Sequence, residues 1–170
     1  MEKVKFALFL MGSCILAGCG YHFVTQPTLP AGLQTIHVRL LANNTGLPGI
    51  ETIFTNAIIH EIIRAEPGLI ADDGVAEGSL GGAVTHVRYT TVAQQNAQVS
   101  LERLVICSVE LNLTDRHGVV VWSALNLSDS ESFFVVADNK LATEENQKEA
   151  IRILSRRLAE KIYDRLTENF

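Results

Sequence analysis

The sequence predicts a two-layer α+β sandwich in which two helices pack on a roughly four-stranded mixed sheet, in the order β-α-β-β-β-α. Apolar residues recur every three or four positions from Ile50 and again from Ile151, which is the spacing of amphipathic helices. Between these segments the chain is rich in β-branched residues and alternates apolar with polar side chains, as half-buried strands do. Two such helices and a sheet with one polar face bury their apolar surfaces against each other.

The beginning of the chain has the anatomy of a signal peptide. Lys3 and Lys5 precede an apolar run over residues 6–16, and small residues then lead into Cys19. The run is too short for a permanent transmembrane helix, which needs about 20 apolar residues. Its ending resembles a bacterial lipobox, which implies that Cys19 becomes the lipidated N-terminus. The chain is therefore divided into a signal peptide (1–18), a lipid anchor and tether (19–33) and a single α+β domain (34–170).

The domain is predicted to open with a strand and a helix. Ile36, Val38 and Leu40 alternate with polar residues, which predicts a half-buried strand over residues 35–40. Pro67 and Gly68 end the helix that follows. That helix carries an apolar stripe of Ile50, Ile53, Phe54, Ala57, Ile58 and Ile62.

A meander of three strands is predicted next, over residues 84–92, 99–113 and 119–127. The polar residues 94–98 form the tip of its first hairpin. The glycine-rich residues 78–82 are predicted to be a loop that leads into a strand, because a phosphate-binding loop would need a lysine and a helix after it. Residues 130–136 either extend the sheet or drape over it.

The chain ends in a second helix, for which Thr143 is the predicted N-cap. Its buried stripe consists of Ile151, Leu154, Leu158, Ile162 and Leu166. Acidic residues are interspersed with its basic ones, so this basic set is interpreted as part of a solvated face: Arg152, Arg156, Arg157, Lys161 and Arg165.

Residues with catalytic or metal-binding chemistry are scattered along the chain. Five histidines lie in separate segments, none at ligand spacing, so we expect no metal and no cofactor other than the covalent lipid on Cys19. No nucleophile elbow surrounds a serine, and Cys107 is expected to be a buried strand residue, so the protein is not expected to be an enzyme. The formal net charge of −5 argues against nucleic acid as a partner.

Two arginines are the candidates for binding an anionic ligand. Arg88 and Arg103 lie on the two strands that flank the hairpin tip. Arg103 interrupts the apolar face of its strand, which otherwise carries Leu101, Val105 and Cys107. Its guanidinium either reaches solvent at the end of the sheet, with its stem on apolar neighbours, or is presented to a ligand.

The chain resembles the LptE family of outer-membrane lipopolysaccharide-assembly lipoproteins. The meander, Trp122 and the last helix contribute to the resemblance. It is sharpest in Cys19-Gly20-Tyr21-His22, and it continues in Thr35-Ile36-His37-Val38, Asn43-Asn44-Thr45 and Gly49-Ile50-Glu51. The resemblance implies a sandwich of two helices on a four-stranded sheet and a role without catalysis. It also implies a lipoprotein that plugs the large LptD barrel, helps it assemble, and binds lipopolysaccharide through basic residues near one end of the sandwich.

The expected location is the outer membrane, with the lipid-anchored domain on the periplasmic side or inside the barrel lumen. Gly20 stands where an aspartate commonly retains lipoproteins at the inner membrane. Arg88 and Arg103 remain candidates for lipopolysaccharide by charge and placement alone. One alternative is a generic envelope lipoprotein that serves as an interaction module in another outer-membrane or cell-wall assembly. The other is a lipid-anchored hydrolase whose site is built from distant residues.

Overall fold

The computed structural model describes residues 29–93 and 101–168. The predicted signal peptide, Cys19 and residues 94–98 lie outside these ranges. The elements in chain order are β1 (Ile36–Val38), β2 (Ala42–Asn43), α1 (Ile50–Ala65), β3 (Gly78–Ala93), β4 (Leu101–Asp115), β5 (Val120–Val135) and α2 (Lys140–Thr167). The predicted α+β arrangement of two helices and a mixed sheet is confirmed.

The described strands form one sheet in the order β1-β3-β4-β5, with β2 beside β3 on the same edge as β1. β1 runs parallel to β3, with Ile36 opposite Gly78. A parallel pair needs a long crossover, and α1 supplies it. β3, β4 and β5 pair antiparallel as the predicted meander.

The core lies between the helices and one face of the sheet. On β4, every second residue from Val105 to Leu113 is at most 2% exposed, and the residues between them are half-buried. Phe54 of α1 and Leu158 of α2 are fully buried against this face. Each such side chain contributes about 1.5–3 kcal/mol through burial. Cys107 is one of the buried strand residues, as predicted, and its burial raises the pKa of the thiol to about 12.

The glycine-rich segment is part of β3, so the prediction of a loop there is wrong. A Cβ at Gly81 would come within 2.5 Å of the Arg39 guanidinium, which lies across this residue. A Cβ at Gly82 would overlap the carbonyl oxygen of Glu110 on β4. Both glycines serve close approaches within a sheet. At Gly82 a side chain would collide with the backbone of β4, whereas at Gly81 the flexible end of Arg39 would have to move.

The first strand is shorter than predicted. β1 ends at Val38, and Leu40 is 65% exposed, so its predicted place in the core is wrong. Leu41 is buried instead, and its N–H donates to Thr55 Oγ1 of α1 at 3.0 Å. This bond turns the chain between β1 and β2, which shifts the apolar alternation by one residue.

Two further boundaries differ from the prediction. Asn139 caps α2, since its side chain accepts from the Ala142 N–H at 3.0 Å; Thr143 lies inside the helix and bonds to Val136. Residues 130–135 belong to β5, which confirms the first of the two alternatives for this segment. Asn126 has a left-handed φ of 55° at an irregularity in the β4–β5 pairing.

Candidate functional site

The site begins with a part of the sheet that α1 does not cover. This part lies at the end of the sandwich where β3 and β5 end and where β4 and α2 begin. We call this end of the sandwich the hairpin end. β2, which precedes α1, pairs with β3 only as far as Val84, so β3 continues beyond the start of that helix. The remaining residues of β3 extend about 30 Å at strand geometry. Tyr89 in this stretch is accordingly 38% exposed.

Polar and aromatic contacts hold the first turns of α2 against the hairpin end. The rings of Tyr89 and Phe133 meet edge to face with centroids 6.2 Å apart. Gln147 Nε2 of α2 donates to Tyr89 Oη at 2.6 Å, and Asn146 Nδ2 donates to the Phe134 carbonyl at 2.9 Å. Burial raises the pKa of Tyr89 despite the bond from Gln147, so its hydroxyl stays neutral at physiological pH.

Arg103 lies at the rim of the helix-covered face of the sheet. It pairs with Thr91 on β3 and Phe133 on β5. The apolar row of β4 ends at Val105, which is fully buried, and Arg103 beyond it is exposed. Among the described residues its guanidinium makes no ion pair. It is therefore a cation at the edge of an apolar surface.

Arg88 projects from the opposite face of the sheet. It pairs with Ile106, which in turn pairs with Ser130. Because side chains alternate along a strand and Ile106 is three residues from Arg103, the two arginines point to opposite faces with Cα atoms about 11 Å apart. Arg88 is also exposed and forms no ion pair within the described ranges. One small anion cannot contact both guanidinium groups.

A cavity of about 580 Å³ lies beside the hairpin end, at the start of α2. Val135, Val136, Thr143 and Gln147 line it together with the charged residues Asp138, Lys140 and Glu144. Lys140 Nζ lies 3.6 Å from Glu144 Oε1, so this cation is already paired. Leu141, 65% exposed, adds an apolar side chain to the same turn of the helix. An anionic amphiphile would use Arg103 at the rim of the sheet as its cation and these exposed apolar groups for its apolar part.

The opposite end of the sandwich has a different chemistry. A cavity of about 530 Å³ there is lined by Asp73, Glu77 and Asp115 together with Arg116. The Arg116 guanidinium is already used, since it donates to the carbonyls of Ala76 at 3.1 Å and Val75 at 2.8 Å. Acidic groups line both cavities, so it is the exposed arginines Arg88 and Arg103 that make the hairpin end the better anion site.

An ion cluster between α2 and β5 was missed by sequence reasoning. Arg157 Nε lies 3.1 Å from Asp129 Oδ2, and its Nη1 lies 2.5 Å from Glu131 Oε2. Lys161 Nζ adds a contact to Asp129 at 2.9 Å. The interpretation of Arg157 as part of a solvated face is therefore wrong. The sequence held one indication of this cluster: Asp129 and Glu131 follow the buried Leu127 at intervals of two residues, which places all three on one face of a strand.

The described residues contain neither a candidate metal site nor a candidate membrane-spanning helix. Within residues 29–93 and 101–168, no group of three or more His, Cys, Asp or Glu side chains is arranged to hold a metal ion. No helix in the described part of the chain has the length and apolar character that crossing a bilayer requires.

Solved structures share this fold. A minor lipoprotein from Acinetobacter baumannii is 15% identical, with 79% of this chain and 91% of that chain covered and a TM-score of 0.54. A lipoprotein from Caulobacter crescentus is 17% identical, with 75% and 87% covered and a TM-score of 0.53. Lipoprotein B from Nitrosomonas europaea is 12% identical, with 83% and 85% covered and a TM-score of 0.54. At these identities the likeness shows the fold alone.

Family membership comes from the sequence of the domain. No curated protein matches the chain in sequence. The family model described as LptE: Lipopolysaccharide-assembly matches residues 33–166, which extend from just before β1 almost to the end of α2. The resemblance found from the residues is thereby confirmed, and the chain belongs to the LptE family of lipopolysaccharide-assembly proteins.

Proposed function

We propose that the protein is a non-enzymatic outer-membrane lipoprotein that plugs the LptD barrel, helps it assemble, and binds lipopolysaccharide during export to the cell surface. The family match over residues 33–166 is the observation that carries this proposal. Cys19 holds the covalent lipid and keeps the domain on the periplasmic side of the membrane or inside the lumen. Two or more acyl chains on this residue make the attachment stable.

The dimensions of the domain support a place inside a large barrel. The 28 residues of α2 span about 42 Å, which exceeds the apolar band of about 25 Å of an outer-membrane barrel. Barrels of about 22 strands have lumens that a folded domain plugs, whereas eight-stranded barrels are filled by their own side chains. A two-layer domain therefore requires a barrel of the larger class.

The uncovered sheet face supports contact with a polar lumen. Ser108 on β4 and Ser128, Ser130 and Ser132 on β5 project from the face opposite the helices, as their register shows. Leu104, Ile106 and Phe134 lie on the same face, so it is a mixed surface that includes these hydroxyl groups. The interior of a transmembrane barrel is polar, so the serine hydroxyls can form hydrogen bonds with the barrel wall.

The hairpin end supports the binding of lipopolysaccharide. This ligand combines phosphate groups with acyl chains, and the hairpin end combines Arg103 with the exposed apolar residues Val136 and Leu141. Guanidinium groups form strong charge-assisted bonds with phosphate. Arg88 faces the other side and is available to a second phosphate or to the barrel wall.

Capture from the native membrane tests the plug. The tagged chain is extracted in mild detergent from its own outer membrane, and its companions and its own intact mass are determined by mass spectrometry. We expect one large β-barrel protein in near-equal amount, and a chain that begins at Cys19 and carries acyl chains. Recovery alone, or with a cell-wall or barrel-insertion complex, would favour the generic interaction lipoprotein instead.

Charge reversal of the two arginines tests lipopolysaccharide binding. We expect Arg103→Glu to weaken binding of purified lipopolysaccharide about tenfold, because it removes a charge-assisted bond and adds repulsion. Arg88→Glu is expected to have a smaller effect, because its side chain lies on the face of the sheet away from Arg103 and α2. Affinities are measured by displacement of a fluorescent lipopolysaccharide.

Arg156→Glu is the matched control for these variants. Arg156 is exposed on α2 and makes no described ion pair, so its reversal changes the net charge equally without touching the hairpin end. Unchanged affinity in a folded Arg88→Glu/Arg103→Glu double variant would remove both residues from the site.

A further inference from the structure

β5 is a long edge strand. Among the described residues, its only neighbour in the sheet is β4, and it runs for 16 residues. An edge of this length presents alternate backbone N–H and C=O groups away from the sheet, and these form a template for pairing with another strand. A monomeric chain therefore needs features that prevent this edge from pairing with another strand.

Side chains occupy the outward backbone groups of β5 near the hairpin end. Arg157 Nη2 donates to the Ser130 carbonyl at 2.5 Å, and Asn146 Nδ2 donates to the Phe134 carbonyl at 2.9 Å. The Ser130 N–H donates to Asp129 Oδ1 at 2.7 Å. In an antiparallel strand, residues of one parity direct both backbone groups to the same side, so Ser130, Ser132 and Phe134 are the outward residues. Two of these three carbonyls have a side-chain partner from α2.

Charges on the helix-covered face reinforce this arrangement. Asp129 pairs with Cys107 and Glu131 pairs with Val105, both of which are fully buried. The two carboxylates thus lie on the face that is otherwise apolar, where Arg157 contacts both of them and Lys161 contacts Asp129. Inward-pointing charges on an edge strand are a recognised way of preventing edge-to-edge association.

Stability alone does not account for this cluster. Replacing a buried ion cluster with apolar residues of similar volume is often neutral or stabilising, so such clusters are weak evidence for a stabilising role. Arg157 also uses one donor for the Ser130 backbone carbonyl, which an ion pair does not need. Control of the edge explains the charges and the two backbone contacts together.

We propose that residues 129–135 of β5 form a latent self-pairing edge that fits β5 of a second copy of this chain, and that Arg157 and Asn146 keep it closed. Antiparallel pairing about a two-fold axis at Ser132 would place Ser130 opposite Phe134 of the second copy. Both occupied carbonyls would have to be released. The chain therefore remains monomeric at this edge.

The double variant Asn146→Ala/Arg157→Lys tests the proposal. Lysine keeps the positive charge beside the carboxylates, but a single ammonium group lacks the forked donors that reach two carboxylates and a carbonyl together. The full chain carries Cys19→Ser in all samples, so that lipid cannot drive association. We expect sedimentation velocity to show that the double variant dimerises, with a dissociation constant at least about tenfold lower than that of the parent.

A cysteine locates the contact. Ser132→Cys is expected to form an interchain disulfide in the double variant and not in the parent, while Cys107 remains buried and unreactive. Arg156→Lys is the control for the substitution on α2 and is expected to stay monomeric. A double variant that folds like the parent but remains monomeric and forms no disulfide would overturn the proposal.

A single substitution keeps the test decisive if the double variant does not fold. Asn146→Ala leaves the ion cluster intact and still frees the Phe134 carbonyl. The test protein therefore carries Asn146→Ala and Ser132→Cys, and Arg157 is unchanged. An interchain disulfide through the introduced cysteine supports the proposal, and the absence of this disulfide overturns it.

Discussion

Replacing Gly82 with alanine is expected to lower the free energy of unfolding by about 3–5 kcal/mol. The added methyl group would overlap the carbonyl oxygen of Glu110 and lie 2.9 Å from the carbonyl carbon of that residue and from Leu111 Cα. These atoms belong to the backbone of β4, which is paired on both sides and cannot move without breaking the register. The φ of 154° at this position adds strain for any side chain.

Thermal unfolding measures this effect, and Gly81→Ala is the matched control. The midpoint of Gly82→Ala is expected to fall by about 10–20 °C for a domain of this size. At Gly81 the new methyl group would meet the guanidinium of Arg39, 2.5 Å away, which is the end of a flexible side chain. That variant should lose less than about 1 kcal/mol. Equal stability of the two variants would contradict the role given to the Glu110 carbonyl.

The contrast between these glycines shows what local sequence cannot report. Both stand in one glycine-rich run, and local reasoning placed the run in a loop. Glycine occupies these two positions because Arg39 and Glu110 lie close to them. Both of these residues are far away in the sequence and come close only in the folded sheet. β4, in contrast, was predicted down to the residues that face the core. Its alternation of apolar and polar residues is itself local, so no knowledge of its neighbours was needed.

Leu40 and Leu41 illustrate a one-residue failure. The alternation of Ile36 and Val38 with polar residues extends formally to Leu40, but the chain turns after β1 and buries Leu41. The turn depends on the bond between the Leu41 N–H and Thr55 on the following helix. Since the side-chain period of a strand is two, one such irregularity exchanges the buried and exposed positions.

An irregularity of one residue also decides where the arginines of the candidate site point. Sequence reasoning found that Arg88 and Arg103 lie on paired strands beside the hairpin tip, which the register confirms. It placed Arg103 on the apolar face of its strand, but it did not predict the face that Arg88 occupies. The pairing of β3 with β4 is irregular between Val84 and His86, so Arg88 points away from the face on which Val84 is buried. This bulge separates the two cations and makes their expected contributions to lipopolysaccharide binding unequal.

Helix α2 shows the limit of charge patterning. Five basic residues were treated as equivalent, yet the fold directs Arg157 to β5 and leaves Arg156 in solvent. The distinction requires the position of β5 beneath the helix, which no spacing along α2 encodes. Among these five basic residues, Arg157 is accordingly the one whose replacement we expect to cause the greatest loss of stability.

Arg157→Ala is expected to lower the free energy of unfolding by about 1–3 kcal/mol at pH 7. The substitution leaves Asp129 and Glu131, whose side chains are only 16% and 24% exposed, without their shared cation. Lys161 still contacts Asp129, and Arg157 itself is 39% exposed, so water and the second cation limit the loss. Arg152→Ala is the control, because Arg152 pairs only with the exposed Glu149 on its own helix.

The loss in Arg157→Ala should depend on pH in a defined direction. Burial raises the pKa of Asp129, but hydrogen bonds from Lys161, the Ser130 N–H and Arg157 outweigh it and hold the pKa below its usual range. A carboxyl group whose pKa is lowered by folding stabilises the protein above its unfolded pKa, and this contribution disappears as the pH falls through the folded pKa. The wild type therefore loses this contribution below about pH 4, whereas the variant has less to lose. Urea unfolding at pH 7 and pH 3 should show the difference between the two proteins shrinking in acid; a difference that stays constant would assign the effect to packing of the Arg157 stem rather than to its charge.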